Sequence, residues 1–246
     1  MSVIALLQAR NEERFLPGWL ENIAPAVDGI VALDDGSTDA TASLLRTHPK
    51  VLELLQKPPG TAWDERGNQV TLVRAGRRHG ATWLFAVDAD ERIEPRLAED
   101  LPRLLDEAEA RQVEAFSLQL RELWNDRRHY RIDGIWKGKA RFRLFRNRDH
   151  HTRFDPRPLH RHWMPLEIGA NLAKVGAHLP HNLYHLRMIS PEDRATRRQR
   201  YLQLDPDGRY QPQGYDYLVD ETGMELAEVA PDRDFLPLDD PAAASP

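Results

Sequence analysis

Thr82-Trp83-Leu84-Phe85-Ala86-Val87-Asp88-Ala89-Asp90-Glu91 is an apolar run that ends abruptly in carboxylates. Unbroken apolarity, without the alternation of a half-exposed strand, predicts a central strand over 82–87 that is covered on both faces. Runs of the same kind recur upstream at 3–7, 29–33 and 51–55, with helical patterns between them. Phe15, Leu16, Trp19, Leu20 and Ile23 recur at helical spacing behind Asn11, a residue suited to an N-cap. Ser37, Thr38 and Asp39 each suit the cap of a helix carrying Leu44 and Leu45. The stretch 64–79 sets Val70, Val73 and Arg77 on one spacing, with Gly80 as its stop. Pro95 opens a further helix whose Leu97, Leu101, Leu104 and Leu105 face inward. Strands alternating with helices specify an α/β fold, a mostly parallel central sheet flanked by helices.

Open sheets of this kind bind ligands at the carboxyl ends of their strands. Three polar clusters, at 8–12, 34–39 and 88–91, fall at those ends. In the last, two carboxylates flank one small residue at the tip of a buried strand. Oxygen donors so placed suit a hard divalent cation, Mg²⁺ or Mn²⁺. Through the cation they suit a diphosphate, whose charge bare carboxylates would repel. The structural alternative for an isolated Asp-x-Asp is a pair of solvated turn residues, or a cap for the helix at Pro95.

The 246 residues suffice for one large domain with a sizeable core. With 41% apolar and 30% charged residues the chain reads as globular, not disordered. Cysteine is absent, which excludes a disulfide framework, a thiol nucleophile and thiolate metal sites. No apolar run approaches the roughly 20 residues of a membrane span. Met1-Ser2-Val3-Ile4-Ala5 has no basic leader, so a cytoplasmic location is expected. The net charge of −5 is unevenly spread: 121–161 holds 13 Lys/Arg against 5 Asp/Glu, and 205–246 holds 2 against 11. Nucleic acid is therefore not an expected partner, whereas a basic face meeting an anionic ligand is.

Three motifs carry a resemblance. Gln8-Ala9-Arg10-Asn11-Glu12-Glu13 follows the first strand, and Asp34-Asp35-Gly36-Ser37-Thr38-Asp39 follows the second. Val87-Asp88-Ala89-Asp90-Glu91-Arg92-Ile93 closes the fourth. In order and spacing they resemble the family-2 glycosyltransferases, well over about 1–95 and loosely over 141–204. The resemblance implies the GT-A fold, with a smaller mixed acceptor-side region, and a nucleotide-diphosphate sugar donor, most often a UDP-sugar, held with Mn²⁺ or Mg²⁺. It implies that Ala9, Arg10 and Glu12 begin the nucleotide pocket and that Asp35, or else Asp34, meets the base. Asp88 would lie by the ribose or the metal, and Asp90 would coordinate the metal. Asp64, Arg66 and Asn68 would reach nucleotide or sugar, although Asp64 is equally an N-cap. Residues 1–111 form the nucleotide-sugar half, 112–204 the acceptor-side region that completes the metal site, and 205–246 an acidic extension. Its last stretch, 231–246, reads as a loose tail.

Beyond 111 the expected strands are 113–120, 141–145 and 182–186. Ser190-Pro191-Glu192-Asp193 is a strong helix start. The segment Arg141-Phe142-Arg143-Leu144-Phe145-Arg146 resembles a strand of bacterial members in which a His-Glu pair follows. Here the sequence is Leu159-His160-Arg161-His162, without the Glu, so the base that inverting transfer needs has only Asp155 and Glu167 as nearby candidates. Arg141, Arg143 and Arg146 read either as a solvated face or as contacts to diphosphate or an anionic acceptor. Trp136, Trp163 and Tyr130 read either as core or as platforms for sugar rings. His185, with His181 second, is the candidate to complete the metal site. Arg194, Arg197, Arg198 and Arg200 form a basic helix face, solvated or phosphate-binding. The acceptor is a glycan, lipid-linked or small molecule, and peripheral membrane contact is left open. Two other functions are compatible with the acids. A nucleotidyltransferase usually has a Gly-rich first loop, which 8–12 lacks. A non-catalytic nucleotide- or carbohydrate-binding module would explain the missing Glu.

Overall fold

The computed structural model describes residues 1–157 and 162–244. In chain order the strands and helices are β1 (Val3–Ala9), α1 (Leu16–Ile23), β2 (Gly29–Asp34), α2 (Thr41–Thr47), β3 (Val51–Gln56), α3 (Glu65–Arg78) and β4 (Trp83–Ala86). There follow β5 (Glu91–Ile93), α4 (Pro95–Ala110), β6 (Ala115–Glu122), β7 (His129–Arg131), β8 (Ala140–Arg146), α5 (Leu166–Gly169) and α6 (Leu172–Val175). β9 (Gly176–His185), α7 (Pro191–Leu204) and β10 (Leu226–Glu228) complete the set.

Eight strands form one sheet in the order β3-β2-β1-β4-β8-β6-β9-β5. β3, β2, β1 and β4 run parallel, β8 is antiparallel to both of its neighbours, β6 and β9 are parallel, and β5 is antiparallel to β9. β7 and β10 pair as a separate antiparallel ribbon. The expected α/β architecture is the one found, and β4 lies in the sheet interior as its unbroken apolarity requires. Alternation explains that composition. Along β1, Val3, Ala5 and Leu7 enter one core layer while Ile4 and Leu6 enter the other. Along β4, Trp83 and Phe85 face the first layer and Leu84 and Ala86 the second. Each large side chain so buried contributes about 1.5–3 kcal/mol, so a polar residue on either face of these strands would be costly.

The helices depart from the sequence reading in instructive ways. Asn11 caps nothing. It sits at φ 57°, and α1 begins at Leu16 with Phe15 before it. Its amide oxygen accepts from Thr38 N at 2.8 Å, and its own N donates to Ser37 Oγ at 2.9 Å. The residue types that favour N-caps also favour left-handed backbone and loop bridging, and here the second use prevails. Nor do Ser37, Thr38 or Asp39 occupy the cap of α2, which is Ala40. Asp39 accepts from Thr41 N at 2.9 Å and from Glu13 N at 3.1 Å, lacing the first two loops together. Two caps are as expected: Asp64 accepts from Gly67 N at 2.8 Å, and Ser190 from Asp193 N at 3.2 Å. The inward stripe of α3 is Gln69, Leu72, Val73 and Gly76, while Arg77 reaches out to Asn147 and nearby carbonyls.

The tail is not loose. Phe235, Asp240, Ala242 and Ala243 are buried, and Phe235 packs on Tyr184 with ring centroids 5.2 Å apart. Pro, Asp and Ala suggest disorder by composition, yet one aromatic and one buried carboxylate anchor the segment.

Candidate active site at the strand ends

Parallel β1, β2 and β4 finish at one edge of the sheet, and the three polar clusters meet there. Asp35 N donates to Ala9 O at 2.8 Å, which joins the first two loops. Gly36 holds φ +83°, and a Cβ there would stand 2.5 Å from Pro58 O, so only glycine fits between the two acids and Ser37. Asp34 Oδ1 accepts from Ser37 N at 3.0 Å. Asp35 is fully buried, with Lys57 Nζ 2.9 Å from Oδ1. Arg10 donates to Thr61 O at 3.2 Å. Asp64 is the α3 cap, and the next turn brings Asn68 inside. Both amide atoms of Asn68 and Nε2 of Gln8 are buried with no hydrogen-bond partner among the described residues. Groups left so are costly unless something else meets them.

The turn after β4 is tightly held. Glu91 N donates to Asp88 O at 2.9 Å, and Asp88 N donates to Glu91 Oε2 at 3.0 Å. Arg143 of β8 reaches across, donating to Asp88 Oδ2 at 2.6 Å and to Glu91 Oε1. Arg143 and Arg146 are buried, so the solvated-face reading of this strand holds only for Arg141. Burial pushes the Glu91 carboxyl up to about 7 against the pull of Arg143.

Asp90 and His185 come together. In register, His185 of β9 stands between Glu122 of β6 and Glu91 of β5. Its Nε2 lies 3.2 Å from Asp90 Oδ2, and its Nδ1 meets Glu122 Oε2. Arg197 of α7 stands 3.0 Å from the same Nε2. Arg187 donates to Asp90 Oδ2 through Nε and to both Glu12 oxygens through Nη2, at 2.7 and 2.6 Å. Burial disfavours charge on His185, but Glu122 and Asp90 outweigh it and raise the imidazole to about 9. Asp90 is held well below the carboxylate range by Arg187 and His185, despite its burial. Glu12 is raised to about 7 by burial, with Arg187 opposing.

Asp90 and His185 are donor types that a divalent cation takes, the imidazole once it is deprotonated. A carboxylate behind one imidazole nitrogen fixes the ring and aims the other nitrogen, the usual second shell of a metal-binding histidine. Glu122 does this for His185 and points Nε2 at Asp90. All hydrogen bonds of the Asp90 side chain among the described residues fall on Oδ2, which leaves Oδ1 for a further ligand. No group of three or more His, Asp or Glu among the described residues is arranged to hold a metal. Two protein ligands would thus need oxygens from a bound ligand to complete a shell. Glu122→Gln is therefore expected to weaken Mn²⁺ binding measured with nucleotide present by about 10–100-fold while leaving metal-free binding unchanged. Equal affinities in calorimetry would remove Glu122 from the site.

Other candidates lie elsewhere. Asp155 is held by Arg157 in the loop after β8, and Glu167 by Arg153 beside α5, outside the network around Asp90. Leu159, His160 and Arg161 of the expected His-Glu position lie outside the described residues. Trp136 and Trp163 are core, and Tyr130 packs against the core under Arg121. His181 pairs with Asp100 at 2.9 Å, on α4. Within the α7 basic face, Arg194 is buried and Arg198 pairs with Asp216, whereas Arg197 enters the site. The residues that sequence reasoning missed are Glu122 and Arg187. Glu122 closes β6, where Ser117, Gln119 and Arg121 alternate with apolar residues, so no unbroken apolar run of the kind before Asp88 marks it.

No family model matches the sequence. Over 99 residues the chain is 33% identical to an uncharacterized protein of Mycobacterium tuberculosis, spanning 38% of this chain and 24% of that one. Over 104 residues it is 33% identical to the lipopolysaccharide core biosynthesis glycosyltransferase LpsC of Rhizobium meliloti, spanning 41% of this chain and 36% of that one. The chain thus covers a quarter to about a third of the length of these curated relatives. Among solved structures, S. aureus TarS superposes with a TM-score of 0.54 at 16% identity, covering 90% of this chain and 42% of TarS. TarS 1-349 in complex with UDP-GlcNAc gives 0.50 at 14% identity, covering 90% and 71%. The architecture is the GT-A fold that these structures share.

Proposed function

We propose that the protein is a glycosyltransferase that moves a sugar from a nucleoside-diphosphate sugar, a UDP-sugar foremost, to an acceptor hydroxyl with inversion. The observation that carries this reading is the Asp90–His185 pair, oriented by Glu122 and set where β1, β2 and β4 end. The unpartnered Asn68 amide, on α3, and Gln8 Nε2, near the end of β1, support a polar ligand such as a nucleobase there. Ala9, Arg10, Asp34, Asp35, Asp64 and Asp88 frame the nucleotide. Asp90 and His185 would hold Mn²⁺ or Mg²⁺, which would supply countercharge for the diphosphate leaving group. Asp155 and Glu167 are the candidates for the base that accepts the acceptor's proton, and the acceptor is a glycan, a lipid-linked glycan or a small molecule. No helix among the described residues is long and apolar enough to cross a membrane.

Calorimetric titration with UDP, GDP and TDP, each with and without Mn²⁺, tests the proposal. One nucleotide is expected to bind, and to bind more tightly with the metal. Absence of binding by all three with Mn²⁺ present would reduce the likeness to a shared fold. If one binds but its sugar derivative is neither hydrolysed nor transferred, the non-catalytic module is the better reading.

A further inference from the structure

The guanidinium of Arg92, two residues after Asp90, is fully buried. Its Nη1 donates to Ala89 O and to Glu91 O, each at 2.9 Å, so it grips the backbone of the acidic turn from inside. Nη2 donates to Phe15 O at 2.8 Å, fixing the turn to the start of α1. Nε donates to Asp240 Oδ2 at 2.7 Å, and that carboxylate is also fully buried. Asp240 lies 148 residues further along the chain.

The surroundings are shaped for this contact. At Gly18 a Cβ would stand 2.2 Å from Asp240 Oδ2, so the helix surface is cut away where the carboxylate enters. Asp240 Oδ1 accepts from Ala242 N at 3.0 Å, which fixes its rotamer. The segment leading to it is tied to the strands that carry the site. Tyr184 OH, beside His185, donates to Arg233 O at 2.6 Å. Asn22 Nδ2 donates to Ile93 O at 3.0 Å and to Leu236 O at 2.8 Å, joining β5 to the tail. Leu186 N donates to Asp90 O at 2.8 Å, so a shift of the turn also moves the end of β9.

We propose that Asp240, acting through Arg92, is a positioning residue for the Asp88–Glu91 turn, and that the C-terminal segment is thereby a working part of the donor site. The placement of the turn stands on geometry alone; its consequence for ligand binding rests on the glycosyltransferase reading. A buried cation needs a buried anion. Without Asp240, Arg92 is drawn toward water, and the two carbonyls that set the direction of Asp90 lose their donor.

Hydrogen exchange and calorimetry on the full chain test this in separate arms. Asp240→Asn removes the charge, Arg92→Lys keeps it but removes the fork, and Arg233→Ala cuts a tail anchor (to Glu94 and Pro180 O) that never touches the turn. In ligand-free protein, amide exchange over 88–91 is expected to be at least tenfold faster in the first two variants and unchanged in the third. Mn²⁺-dependent UDP binding is expected to weaken about tenfold in the same two variants, with metal-free binding retained. Unchanged exchange in Asp240→Asn and Arg92→Lys, or equal acceleration in Arg233→Ala, overturns the inference. If the wild type shows no Mn²⁺-dependent binding of UDP, GDP or TDP, the proposed function falls, and the exchange arm still decides the positioning role.

Discussion

Asp90→Asn is expected to bind UDP equally well with and without Mn²⁺, whereas the wild type binds it about 5–150-fold more tightly with the metal. That factor is the usual size of a coupling between two ligands, about 1–3 kcal/mol. The coupling follows from the ligand set. On the proposed reading, with Asp90 and His185 as its protein ligands among the described residues, a cation alone would bind weakly and a diphosphate would supply the missing oxygens. By reciprocity UDP must tighten Mn²⁺ by the same factor that Mn²⁺ tightens UDP. Asparagine keeps the shape of Asp90 and can still accept from Arg187, Glu122 still orients His185, and Arg187 keeps Glu12, so the fold is expected to survive. Loss of the metal-dependent increment, with a melting temperature within a few degrees of the wild type, assigns the effect to the site. Should Asp90→Asn retain the full increment, the cation is held elsewhere.

Why Asp90 and His185 were legible in the sequence and Glu122 and Arg187 were not is a matter of where the information lies. An apolar strand followed at once by carboxylates is a local pattern, and burial on both faces makes the strand unmistakable. The same holds for Asp34 and Asp35, since a glycine between acids and hydroxyls demands a tight turn. Glu122, Arg187 and Arg197 arrive from β6, from the turn after β9 and from α7, and only the placing of β6 and β9 in the sheet brings them to Asp90. The parallel half could be ordered by alternation of strand and helix. The mixed half could not, because β6, β8 and β9 are joined by long, largely irregular stretches whose sequence does not specify neighbours. The tail misled for a related reason. Its composition is polar and Pro-rich, but two side chains, Phe235 and Asp240, find sites prepared by Tyr184, Arg92 and Gly18 far away in sequence.

Arg187→Met is expected to destabilise the metal-free protein by about 2–3 kcal/mol, somewhat below the usual cost of breaking a buried pair because Arg187 is itself one-quarter exposed. For a domain of this size that lowers the melting temperature by roughly 5–10 °C. Arg187 is the cation that now satisfies both Glu12 and Asp90, and methionine fills much of its volume without its charge. Two further consequences separate this account from simple loss of packing. Glu12 already has its carboxyl raised to about 7, and losing Arg187 raises it further. A carboxyl whose folded pKa is raised binds more protons folded than unfolded, so the variant regains stability as pH falls from 8 toward 6. Mn²⁺ also takes over the countercharge at Asp90, so at pH 8 it is expected to raise the melting temperature of Arg187→Met more than that of the wild type. Thermal denaturation of both proteins at pH 6 and 8, with and without Mn²⁺, reads all of this. Equal Mn²⁺ shifts in the two proteins would mean that arginine and metal do not share a countercharge. The Asp90–His185 pair would then be an ion-pair network with no cation to hold.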